Sequence, residues 1–81
     1  MKVEDTAIAG VKIIDLVPFG DSRGMFVETF DTQAIGGLGL EQTFVQDATS
    51  ASKLKGTFRG LHFQRPPHAQ TTLVRVARGR I

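Results

Sequence analysis

The stretch Gly56-Thr57-Phe58-Arg59-Gly60-Leu61-His62-Phe63-Gln64-Arg65-Pro66-Pro67 constrains this chain more than any other. It reads as a β-strand, yet it holds an arginine, a histidine and a glutamine, and paired prolines stop it. Polar groups inside a hydrophobic strand are costly unless they have partners or work to do. Strict alternation places His62 with Phe58, Gly60 and Gln64, opposite Arg59, Leu61 and Phe63. For Arg59 and His62 to serve one pocket the strand must deform, and Gly60 is the natural place for a bulge.

The remaining segments fit around this strand. Residues 1–10 read as a loose lead-in. Branched residues predict a strand over 11–17, ended by Pro18. Phe19-Gly20-Asp21-Ser22-Arg23-Gly24 is a turn cluster, and a second strand follows over 25–30, with Phe26, Glu28 and Phe30 sharing a face. Asp31 caps one turn of helix over 31–35, which Gly36-Gly37 would close. Further strands are predicted over 43–47 and 71–78, separated by the small, polar loop 48–53 and the Gly56–Pro67 strand. Five short strands punctuated by glycine and proline predict an all-β sandwich or barrel, a single small domain over residues 1–81. Five strands leave open edges, so a fuller barrel or pairing with another chain is the physical completion.

Charge divides the chain. Residues 1–50 hold all eight carboxylates against Lys2, Lys12 and Arg23, whereas 51–81 hold seven cations and no acid. A basic final third calls for an anion, such as a phosphorylated ligand, nucleic acid or an acidic partner surface. The alternative is that balancing acids lie beyond Ile81. The chain has no cysteine, hence no disulfide framework and no thiolate metal site. No apolar run approaches the ~20 residues that span a bilayer, and no signal-peptide pattern follows Met1, so the expectation is a cytoplasmic protein without membrane contact.

His62 is the candidate general base, because an imidazole titrates near neutrality; the same residue also fits a buried histidine satisfied by a backbone carbonyl. His62 and His68 do not share a strand face and no His-x-His is present, so no metal site is expected. Ser50 and Ser52 lack an activating motif. Lys53, Lys55, Arg59 and Arg65 interleaved with Phe58 and Phe63 are the mix of single-strand-binding β-folds, but the acidic first 50 residues speak against nucleic acid.

Taken together, Phe19-Gly20-Asp21-Ser22-Arg23-Gly24-x-Phe26-x-Glu28-x-Phe30, Phe44-Val45-Gln46-Asp47, Gly56-x-x-Arg59-Gly60-Leu61-His62-Phe63-Gln64-x-Pro66-Pro67-x-Ala69-Gln70 and Leu73-Val74-Arg75 resemble the dTDP-4-dehydrorhamnose 3,5-epimerases. The Arg-Gly-Leu-His-Phe-Gln block is the specific part. The resemblance implies a cupin-like jelly-roll barrel, of which this chain is the N-terminal portion. It implies epimerisation of a dTDP-linked 4-keto-6-deoxy sugar at C3 and C5, with no metal and no cofactor, by a homodimer with strand exchange. In such enzymes the histidine matching His62 removes a proton next to the ketone, the residue matching Arg59 stabilises the oxyanion, and Gln46 lines the pocket. Arg23 would meet the diphosphate, and Phe26 and Glu28 the thymine, from a neighbouring subunit.

The chain departs from that pattern at named positions. Ala48 stands where the family has Asn, and Thr72 where it has a lysine beside the enolate; threonine supplies a hydroxyl but no charge. The third departure is length: family members run to about twice this chain, and the resemblance puts the proton-returning tyrosine and the carboxylate that orients the histidine in the half beyond it; these 81 residues hold no tyrosine. The 81 residues alone are therefore not expected to epimerise. The alternatives are an inactive sugar-nucleotide-binding module, a single-carbon epimerase or keto-isomerase, and a basic nucleic-acid-binding module.

Overall fold

The computed structural model describes residues 1–40 and 43–81, which fall into two compact units, 1–43 and 44–81. In the first unit, strand β1 (Lys2–Asp5) pairs antiparallel with β2 (Lys12–Asp15), Val3 opposite Ile14 and Asp5 opposite Lys12. Directly opposed residues share a face. Half-buried Val3 and Ile14 therefore stand together, and beside them the Lys12 ammonium pairs with the Asp5 carboxylate. On the other face Lys2 reaches Glu4 at 3.6 Å. Residues 1–10 are thus not the loose lead-in expected, because β2 supplies a partner for the run Lys2–Asp5. Thr6 ties the connection: its hydroxyl lies 2.9 Å from the Val11 carbonyl and its amide donates to the same oxygen.

The second hairpin joins β3 (Phe19–Asp21) to β4 (Gly24–Phe26), with Phe19 opposite Phe26 and Asp21 opposite Gly24. The expected turn cluster is therefore a complete hairpin whose bend is Ser22-Arg23. The strand predicted over 25–30 is shorter than expected and ends at Phe26. Gly24 bears the positive φ of this turn, +132°, where a side chain would be strained.

Helix α1 (Thr32–Gly37) starts as predicted: the Ala34 amide donates to Asp31 Oδ1 at 2.8 Å. Its end lies later than predicted. The Gly39 amide donates to the Gly36 carbonyl and the Leu40 amide to the Ile35 carbonyl, with Gly39 at φ +74°. This is a Schellman closure, and Gly39 rather than Gly36-Gly37 provides the left-handed residue. The helix buries Ile35, the one buried hydrophobic side chain among the described residues.

The second unit holds no strand or helix among its described residues. The strands expected over 43–47, 56–65 and 71–78 are not formed, although the sequence signal there is as strong as in β2. A strand persists when a neighbour accepts its ladder hydrogen bonds, and no described segment of this unit does so. Phe58, Leu61 and Phe63 consequently stand 82%, 97% and 83% exposed. Local bonds shape the backbone instead. Thr57 closes a turn onto the Leu54 carbonyl through its amide and hydroxyl, and the His68 amide donates to the Arg65 carbonyl at 2.9 Å. Among the described residues, regular structure is four strands against one six-residue helix, the all-β class expected; of a jelly roll, they form two hairpins.

Candidate functional site

The best-defined chemical group sits at the β3–β4 bend. Asp21 Oδ1 accepts the Arg23 amide at 2.8 Å, and Oδ2 accepts Arg23 Nη2–H at 2.7 Å and Nε–H at 3.2 Å. A short acidic side chain reaching the amide two residues on is the usual way an aspartate fixes a turn. Here the same carboxylate also grips the side chain of the residue whose amide it holds. The Arg23 guanidinium beside it pulls the Asp21 carboxyl below its ordinary value, the Arg23 and Gly24 amides add to this, and Arg23 is held correspondingly above its own. Both directions describe one ion pair, solvent-facing, with the Arg23 side chain 88% exposed.

Phe26 closes the same hairpin at its open end, 70% exposed and opposite Phe19. Glu28 lies two residues beyond β4 and is exposed. Arg23, Phe26 and Glu28 therefore belong to one hairpin and its outgoing chain. Asp21 is the member of this group that the sequence reading did not single out. Its signal was present in the spacing Asp21-x-Arg23, an acid two residues before the cation it pairs with.

The other four predicted residues lie in the second unit. Gln46, Arg59, His62 and Thr72 are all exposed. The Arg59 guanidinium donates to the Ala51 carbonyl at 3.0 Å. Gly60, between Arg59 and His62, has φ +127°, and no strand runs through it to carry the bulge expected there. The ion pairs among the described residues, Lys2–Glu4, Lys12–Asp5 and Arg23–Asp21, all fall in the first unit. The cations of residues 51–81 thus keep their charge available to an outside anion. Among the described residues no group of three or more histidine or acidic side chains could hold a metal ion, and no helix is long and apolar enough to cross a membrane.

Comparison with known proteins gives a consistent result. The family profile of dTDP-4-dehydrorhamnose 3,5-epimerase matches residues 5–81. A dTDP-4-dehydrorhamnose 3,5-epimerase of Salmonella typhimurium is 49% identical over 82 aligned positions, covering all of this chain and 44% of that protein. One from Methanothermobacter thermautotrophicus is 47% identical over 76 positions, 94% of this chain and 40% of the relative. One from Sinorhizobium fredii is 44% identical over 79 positions, again 40% of the relative. The chain spans less than half the length of these curated relatives. No solved structure matches it significantly.

Proposed function

The chain belongs to the dTDP-4-dehydrorhamnose 3,5-epimerase family, and on that premise we propose that it serves the epimerisation of a dTDP-4-keto-6-deoxy sugar at C3 and C5, supplying the proton-abstracting base and the nucleotide-binding hairpin. The carrying observation is the family match over residues 5–81, which includes the whole Arg59–Gln64 block. C3 and C5 both flank the C4 ketone, so a proton lost from either leaves an enolate that can be reprotonated on the opposite face. His62 is the base. Arg59 stabilises the oxygen on which the negative charge develops, and Gln46 lines the same pocket. Arg23 takes the diphosphate, where a guanidinium fork suits phosphate oxygens, and Phe26 and Glu28 meet the thymine. A homodimer with strand exchange lets the hairpin of one copy serve the pocket of the other. The uncompensated cations of residues 51–81 favour approach of a dianionic substrate.

Protein expressed from the complete gene, incubated with dTDP-4-keto-6-deoxyglucose in D2O, is expected to place deuterium at C3 and C5. His62→Gln should slow this by roughly a hundredfold or more. No incorporation at either carbon with His62 intact would overturn the reading.

A second reading is a sugar-nucleotide-binding module without turnover. It is favoured by Thr72, which carries no charge where the resemblance implies a lysine. It predicts dTDP affinity that Arg23→Ala removes, without exchange at either carbon.

A further inference from the structure

We propose that Asp21 is a positioning residue for the nucleotide diphosphate: it presents the free edge of the Arg23 guanidinium to the anion. The inference rests on the placement of Arg23 at the diphosphate and adds a residue that this placement does not involve. An arginine side chain has four rotatable bonds and, on an exposed bend, a large rotamer entropy to lose on binding. Asp21 removes much of that freedom beforehand. Its Oδ1 fixes the backbone at the Arg23 amide, 2.8 Å away, and its Oδ2 fixes the guanidinium at Nη2 and Nε. A guanidinium has five N–H donors. Asp21 takes the Nε–H and one on Nη2, which leaves both Nη1 hydrogens and the second Nη2 hydrogen directed away from the carboxylate. One Nη1 hydrogen and the remaining Nη2 hydrogen form the outer edge of the fork, the edge that can hold two phosphate oxygens at once.

The geometry gives this role a sign that simple electrostatics would reverse. A carboxylate near a bound diphosphate repels it, so if charge alone mattered, Asp21→Asn would tighten binding. If Asp21 positions Arg23, Asp21→Asn weakens binding, because the amide oxygen can still accept the Arg23 backbone N–H while the ionic grip on Nη2 and Nε is lost. Preorganisation by a single exposed pair corresponds to roughly two- to fivefold in affinity.

The test measures binding of dTDP and of thymidine to the unaltered chain and to Asp21→Asn, Asp21→Ala and Arg23→Ala, with the Arg23 Nε–H signal followed by NMR. The expected result is a two- to fivefold loss of dTDP affinity in both Asp21 variants, thymidine binding unchanged, and broadening of the Nε–H signal. General loosening of the hairpin would weaken dTDP and thymidine alike and would overturn the inference. Unchanged or tighter dTDP binding in Asp21→Asn, with Arg23→Ala still damaging, would overturn it and leave the diphosphate role of Arg23 standing. An Arg23→Ala variant that binds dTDP normally would remove that role and the inference with it.

Discussion

Phe19 and Phe26 stand opposite each other in the β3–β4 register, and both residues remain about two-thirds exposed, at 67% and 70%. This opposed pair marks the open end of a hairpin that Asp21 and Arg23 hold at the bend. The exposed Phe26 face is also the surface proposed to meet a thymine.

Phe26→Ala should therefore act twice. Loss of the cross-strand pair should destabilise the hairpin by about 0.5–1 kcal/mol. Loss of the aromatic face should weaken thymidine as well as dTDP, unlike substitution at Asp21. Phe26→Tyr should retain both properties. Calorimetric titration with the two ligands checks this, and an unchanged thymidine affinity in Phe26→Ala would remove Phe26 from the base site.

Ile35 is 2% exposed on a six-residue helix that contains two of the chain's glycines. So short a helix gains little from propensity and depends on its caps and on this one buried side chain. Ile35→Ala should cost roughly 2–4 kcal/mol in the first unit, and Asp31→Ala about 1 kcal/mol through loss of the Ala34 cap. Denaturant titration followed by circular dichroism separates the two. Equal effects would contradict the dominance of burial over capping.

The pairing with Arg23 lowers the Asp21 pKa from its ordinary 3.8, so the carboxylate form is favoured in the folded hairpin. The contribution of the pair is complete above that ordinary value and is lost as the pH falls through the lowered one. Both groups face solvent, so the effect on overall stability is slight and shrinks further with salt. The Asp21 carboxyl carbon shift should titrate below 3.8 in the unaltered chain and move back toward it in Arg23→Ala. A midpoint unaffected by Arg23→Ala would mean that the clamp is not formed in solution.

Thr72 can donate a hydrogen bond but cannot place a positive charge beside an enolate. If residue 72 flanks the developing oxyanion, Thr72→Lys should accelerate deuterium incorporation by roughly ten- to a hundredfold in protein from the complete gene. No change in rate would remove position 72 from the oxyanion site.

Some of this was legible residue by residue. Asp31 announced its cap because an aspartate before a short helical run satisfies a nearby amide with its own side chain. Gly24 adopts a positive φ in the turn cluster where the sequence called for an unusual backbone. Gly39 was harder to read, since Gly36-Gly37 offered an earlier stop and only the amides of Gly39 and Leu40 reveal where the helix closes. The Asp21–Arg23 grip was missed for a related reason. An acid two residues from a base is common in loops, and only the bend brings both ends of one carboxylate onto one arginine.

The Gly56–Pro67 stretch shows where sequence alone stops. The order and chemistry of its residues, together with the blocks around it, were sufficient to place the chain in its family and to single out His62 and Arg59. Those are properties of side chains and need no neighbour. Whether the stretch is a strand is a different kind of question. Lys12–Asp15 and residues 56–65 carry comparable strand signals, yet only the former is a strand, because Lys2–Asp5 lies against it and accepts its ladder. Backbone amides and carbonyls must be paired or solvated, and a single segment cannot supply its own partner. Local residues determined the turns, the cap and the chemical groups; pairing in three dimensions decided which of the predicted strands exist.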